Sequence, residues 1–172
     1  MPTNQPNIVS LTGRPFAASA IALQAIIVNE KEQILLLNSP TRNQGWQTIS
    51  GGLEAGETIL DGVRREVVEE VGPDVRVRPL GVVHVQTFHY DENVRFMVAI
   101  YYLMAYEGGT IVPGDDMKGS AYRWWNLGEL EDESLPHHPT VIPWVLRRTI
   151  DLYRLWKDDP ERPLQQIGRA HV

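Results

Sequence analysis

A glycine pair running straight into an acidic helix constrains this chain more than any other feature. Ser50-Gly51-Gly52-Leu53-Glu54-Ala55-Gly56-Glu57 reads as a glycine-rich turn, and Arg65-Glu66-Val67-Val68-Glu69-Glu70-Val71-Gly72 closes the short helix that follows. Glu66, Glu69 and Glu70 stand at i, i+3 and i+4, within roughly 100° of arc on one helix face. Three carboxylates so placed repel one another unless a cation sits among them. An all-oxygen donor set selects a hard cation, Mg²⁺ or Mn²⁺.

The helix carries its own start and stop signals. Thr58 is placed to cap it, with Asp61 three residues on in capping-box spacing. Leu60, Val63, Val67 and Val71 form an apolar stripe, roughly 100° round from the glutamates. One side can therefore pack on a core while the neighbouring side lines a cleft. Gly72 is expected to end the helix in a left-handed conformation, and Pro73 prevents continuation. A mid-helix glycine costs about 1 kcal/mol relative to alanine, so Gly62 predicts a close approach.

Taken together, Gly51, five residues, Glu57, seven residues, then Arg65-Glu66-Val67-x-Glu69-Glu70-x-Gly72 resembles the signature of the Nudix hydrolases. Only the last position departs, with Pro73 where that family has an aliphatic residue. An isolated Glu-x-x-Glu-Glu is most often a solvated, salt-bridged helix face. Seven fixed residues change that, because chance matching at roughly one in fifteen per position is on the order of 10⁻⁸ per start. Trp46-Gln47-Thr48-Ile49-Ser50-Gly51-Gly52 is similar to the family segment leading from tryptophan to Pro-Gly-Gly or Pro-Ala-Gly-Gly, with Ile49 in place of proline and Ser50 in place of the small residue.

Composition bounds the rest. A chain of 172 residues is long enough for one domain with a real core. We expect the domain at 19–157, a flexible arm (or one lying on a partner subunit) at 1–18, and a polar tail at 158–172. A net charge of −6 argues against a nucleic-acid polymer as partner, since polymer binding draws on basic surface, but not against a nucleotide. The absence of cysteine excludes a disulfide framework and a thiol nucleophile, and fits a cytoplasmic location. No basic, apolar leader and no membrane-spanning run is present, so no membrane association is expected.

In chain order, Ala20 to Val28 is nearly continuous apolar sequence and predicts a buried strand. Gln33 to Leu37 predicts its hairpin partner. Arg42, shortly before the glycine turn, is either a solvated loop residue or a grip on substrate phosphate. Trp46 is expected in the core. Val75 to Thr87 predicts a strand broken near Pro79-Leu80-Gly81, and His84 within it reads as structural. His89 to Asn93 predicts a hairpin turn. Val94 to Tyr106 predicts a central strand, and Glu107 to Ser120 a glycine-rich loop that suits a mobile lid. Trp124 and Trp125 must point to opposite faces of a short strand; one belongs to the core, and the other, taken as Trp125, is free to stack on a base. His137 and His138 read as surface, and Thr140 to Trp156 as a closing amphipathic helix.

The alternation of strands and helices predicts an α/β protein with a mixed sheet flanked by helices, and the resemblance implies a Nudix-type α/β/α sandwich. It further implies divalent-metal-dependent cleavage of a pyrophosphate bond in a nucleoside diphosphate linked to another group. Metal ligation falls to Glu66, Glu69, Glu70 and the Ser50 carbonyl, with Mg²⁺ as the expected ion and Mn²⁺ as a substitute. Glu57 and Arg65 hold the constellation, and Glu69 bridges a second metal or helps activate water. The base outside the signature has no glutamate at its usual place; Asp116 or Asp115 substitutes, with Glu107 behind them. Tyr90, seventeen residues past the signature, is similar to a substrate-contacting tyrosine of the dinucleoside-polyphosphate branch, whereas the small residue at Ser50 favours ADP-ribose or a sugar nucleotide. Nucleoside triphosphates also remain open, and a homodimer is implied at family level. The competing class is a non-catalytic Nudix-fold module that senses a nucleotide or sugar.

Overall fold

The protein is described from a computed structural model covering residues 7–41, 45–131 and 137–159. Arg42, residues 1–6 and 160–172, and the side chain of Asp116 lie outside that description.

The chain first forms a two-stranded ribbon, β1 (Asn7–Val9) and β2 (Pro15–Ala17). Over its described part the expected arm is this exposed ribbon, whose turn Ser10 closes by accepting the Gly13 amide at 2.9 Å. The continuous apolar run is β3 (Ala20–Val28), followed by β4 (Ile34–Asn38) and β5 (Ile49–Gly52). Helix α1 spans Ile59–Val71. Then come β6 (Arg76–Phe88) and β7 (Met97–Gly108), a 3₁₀ turn at Asp115–Met117, β8 (Ala121–Trp125), the single turn α2 (Leu127–Leu130) and α3 (Pro143–Trp156).

The main sheet runs β6-β7-β3-β4-β8, with β5 also paired to β3. β3 and β7 are parallel over nine residue pairs, Ala20 opposite Met97 through Val28 opposite Ala105; the other pairings are antiparallel. Because helices cover both faces, β3 is apolar on both sides. Leu23, Ala25 and Ile27 join Val63, Val67 and Val71 of α1, whereas Ala22, Ile26 and Val28 join Val145, Ile150 and Trp156 of α3. Each fully buried leucine, isoleucine or valine among them contributes about 1.5–3 kcal/mol of transfer free energy. The α/β/α sandwich predicted from the sequence is the fold found.

The helix signals are read out locally. The Thr58 hydroxyl accepts the Asp61 amide at 3.2 Å and donates to the Asp61 carboxylate at 2.6 Å. A Cβ on Gly62 would lie 2.6 Å from Leu23 Cδ1, so the helix sits close against β3 and any side chain at this position would have to displace the Leu23 methyl. Gly72 does stop the helix, but not as a left-handed cap: its φ of 109° and ψ of 153° are extended with positive φ, a region suited to glycine. The Gly72 amide still donates to Val68. Pairing of β6 with β7 shifts register between Pro79 and Gly81, where the break was expected.

Candidate functional site

The glycine strand and the acidic helix meet at one place. β5 lies on β3 with Gly51 opposite Leu23 and Gly52 opposite Ala22, and α1 crosses above it. A Cβ on Gly51 would fall 2.0 Å from Glu66 Oε1. Only a residue without a side chain lets the Glu66 carboxylate lie against the strand.

Arg65 gathers the acids. Its Nε donates to Glu57 Oε1 at 2.8 Å and its Nη2 to Glu57 Oε2 at 3.2 Å. Nη1 donates to Glu66 Oε1 at 2.7 Å and Glu69 Oε2 at 2.8 Å. Nη2 also donates to the Gly52 carbonyl at 2.8 Å. The planar fork suits this multipoint grip, which an ammonium could not reproduce. Glu57 in turn accepts the Glu54 amide at 3.0 Å, closing the glycine turn. One turn on, Glu70 Oε2 accepts the Ser50 amide at 2.9 Å.

The electrostatics follow from burial. Glu66 is only 7% exposed. Its carboxyl is pushed above the ordinary value, chiefly because burial disfavours its charge, with Arg65 opposing that effect. Glu57 is held below the ordinary range, first by its hydrogen bonds from Arg65 and then by the Glu54 amide. Arg65 is raised, with Glu57 the largest cause.

Could the residues hold a metal? Every side-chain donor is a carboxylate oxygen, and buried Glu66 seeks a cation, so the donor chemistry fits a hard divalent ion. Among the described residues, however, no three acidic or histidine side chains stand arranged around an ion position. Arg65 occupies the centre of the cluster and serves as its cation. An ion would have to use carboxylate oxygens that Arg65 does not take.

The other expected residues separate. Trp125 is a correction: it is 2% exposed, edge-on to Trp46 with ring centroids 5.0 Å apart, and Arg123 covers its ring at 3.9 Å. It belongs to the core and cannot stack on a base; Trp124 holds the opposite face, beside Tyr106. Tyr90 is exposed at the β6–β7 turn, near Phe88. His84 packs between Tyr101 and Trp144. The 107–120 loop is pinned to α1: the Val112 amide donates to Val71 at 2.9 Å, a Cβ on Gly114 would lie 2.7 Å from the Glu69 carbonyl, and Met117 is buried. Those three contacts hold the loop on α1. Asp115 is exposed with a positive φ of 43°, and Glu107 pairs with Arg78. Sequence reasoning missed two acceptor–donor contacts, the Gly52 carbonyl and the Ser50 amide; the glycine pair before a helix was the available signal for close backbone approach.

Residues 19–145 match the family model of the NUDIX domain, and the chain belongs to the Nudix family. It is 31% identical over 140 residues to the NAD-capped RNA hydrolase NudC of Pseudomonas aeruginosa, covering 81% of this chain and 46% of that protein. It is 36% identical over 128 residues to the NudC of Vibrio atlanticus, covering 73% and 44%. The chain therefore spans about half the length of these relatives. It is 26% identical over 134 residues to an ADP-ribose pyrophosphatase of Methanocaldococcus jannaschii, covering 77% and 76%. An ADP-ribose pyrophosphatase from Streptococcus suis shares the fold, with a TM-score of 0.62 at 21% identity over 80% of this chain and 93% of that one. The NudC relatives are named for an RNA, so a negative net charge does not by itself set a polymer aside, as the sequence reading had it. Among the described residues no helix is long and apolar enough to cross a membrane.

Proposed function

We propose that the protein is a divalent-metal-dependent hydrolase cleaving the pyrophosphate bond of a nucleoside diphosphate linked to another group. One observation carries this reading: Glu57, Glu66 and Glu69 converge on Arg65 beside the Gly52 carbonyl. A merely solvated helix face has no need to bury Glu66 under a glycine strand.

Glu66, Glu69, Glu70 and the Ser50 carbonyl would hold the ion, with Mg²⁺ or Mn²⁺ fitting the oxygen donors. When bound, such an ion neutralises the pyrophosphate oxygens and lowers the pKa of a ligated water towards about 7. Arg65 and Glu57 fix the carboxylates in place, so little reorganisation is needed at reaction. Glu69, or Asp116 from the neighbouring loop, takes the proton of the attacking water. Arg42 and Tyr90 would contact the substrate. Relatives named for NAD caps and for ADP-ribose share an adenosine diphosphate esterified to ribose. That common element supports ADP-ribose-like compounds as first choice, ahead of dinucleoside polyphosphates and nucleoside triphosphates. The exposed apolar ribbon residues Ile8, Val9 and Leu11 support a homodimer in which the arm meets a second copy.

The test is phosphate release with Mg²⁺ or Mn²⁺ from ADP-ribose, NAD, sugar nucleotides, diadenosine polyphosphates and nucleoside triphosphates, with phosphatase added where products are monoesters. Glu70→Gln should abolish metal-dependent turnover while leaving the melting temperature near wild type, since the amide oxygen can still accept from Ser50. Near-normal turnover in that variant refutes the assignment. Tight binding without turnover across the panel favours the sensing module.

A further inference from the structure

Two open clefts flank the sheet, at opposite ends of β3. The first, about 550 Å³, is lined by Ser19 and Ala20 on one side and by Glu92, Asn93, Arg95 and Phe96 on the other. The second, about 480 Å³, lies beyond the other end, between the Asn29–Gln33 turn and Tyr106 and Trp124. Their separation from the acidic cluster decides between them. The catalytic strand is fixed to β3 at Ala22 opposite Gly52, and the Leu53 amide donates to Ile21 at 3.0 Å. At about 3.3 Å per strand residue, Ala20 is about 7 Å from that point and Asn29 about 23 Å. Only the first cleft is within one nucleoside of the bond to be cut.

Its chemistry suits that neighbour. Phe96 is 38% exposed and presents ring surface. Among the described residues no carboxylate lies within ion-pair distance of Arg95; its Nε reaches the Glu92 carbonyl at 3.4 Å. The turn that carries both is fixed in advance. Asp91 Oδ1 accepts the amides of Asn93 at 2.8 Å and Val94 at 2.7 Å, and the Tyr90 amide donates to Val94 at 3.2 Å. A preformed turn avoids the entropy of ordering it on binding.

We propose that this cleft receives a nucleoside of the substrate, with Phe96 stacking on the base and Arg95 reading the sugar or its flanking phosphate. The proposal rests on the hydrolase reading for the identity of the ligand. It makes Arg95 and Phe96 determinants of which group is accepted, while leaving bond cleavage to the acidic cluster.

The experiment titrates the full chain, in the Glu70→Gln background to prevent turnover, with ADP-ribose, AMP and inorganic pyrophosphate, each with Mg²⁺. Arg95→Ala and Phe96→Ala are compared with Lys31→Ala in the far cleft. The expected result is roughly tenfold weaker ADP-ribose and AMP binding in the first two variants, with pyrophosphate unchanged and Lys31→Ala like its parent. With Glu70 restored, KM for ADP-ribose should rise while kcat holds. Wild-type binding by both variants, equal loss of pyrophosphate binding, or no nucleoside binding by the parent each overturns the proposal. Nucleoside binding that responds to both variants in a protein that hydrolyses nothing sustains the cleft and sinks the hydrolase.

Discussion

Replacing Arg65 by methionine keeps the apolar bulk of the stem and removes the charge on which three glutamates converge. The buried partner decides the cost. Glu66 would be left without a counter-charge, and breaking a buried ion pair costs about 3–5 kcal/mol. The Arg65 side chain is 22% exposed, so water can partly replace it, and the figure falls to about 2–3 kcal/mol. Urea denaturation in a chelating buffer measures this without bound metal. The pH dependence supplies a second reading. Burial already raises Glu66 above its ordinary 4.5, and Arg65 opposes that rise. Without Arg65 the folded value climbs further. Stability tied to a raised carboxyl is fully present below the unfolded value and is lost as pH rises through the folded one. The variant's deficit should therefore be smallest in acid and grow towards neutrality. In a Glu66→Gln background, the same Arg65→Met change should lose most of its cost. A deficit flat with pH, and equal in both backgrounds, would mean that packing rather than charge sets the effect, and the reasoning here would fail.

Other outcomes follow from the same contacts. Gly51→Ala puts a Cβ 2.0 Å from Glu66 Oε1; the carboxylate must move, and steady-state assays should show turnover down about a hundredfold. Gly62→Ala gains about 1 kcal/mol of helix propensity but meets Leu23 at 2.6 Å. Overpacking costs about 1–3 kcal/mol, so thermal unfolding should reveal a net loss, and a stabilised variant would contradict the close approach. Since burial pushes the Glu66 carboxyl up, it should titrate above the ordinary carboxylate value in the metal-free protein, as followed by carbonyl-labelled NMR in chelating buffer with Glu66→Gln to assign the signal. Added Mg²⁺ should pull it down; a metal-free titration below the ordinary value would contradict the burial argument.

Much of this arrangement was legible because it is local. The glutamate face, the Thr58 cap, the Gly62 contact and the stop at Gly72 depend on residues within a few turns of one another. The apolar runs gave β3 and β7 because strands buried on both faces leave little room for polar residues. What stayed hidden depends on distant partners. Nothing near Trp124 and Trp125 says which face of β8 meets α3; that is fixed by register with β4, where Trp125 lies opposite Ile34. Nor does the glycine content of 107–120 reveal its docking on α1, which uses backbone groups at Val71 and Glu69.

β4 and β5 share one edge of β3. β4 pairs at Val28, and β5 takes Ala22 to Ala25. The buried Thr48 hydroxyl donates to Gln24 at 2.7 Å beside that division. This sharing sets how the chain can tolerate changes of length. Residues added between β4 and β5 cost only loop-closure entropy, about 0.6 kcal/mol per doubling. A deletion there has no such outlet, because β4 cannot follow without leaving β8. β5 would have to slide along β3 towards Val28, and a one-residue slip brings Ser50 to the station of Ile49, opposite Ala25, setting a hydroxyl in a fully buried apolar site. Length variants in this connection should therefore be lopsided, with additions accepted and losses selected against.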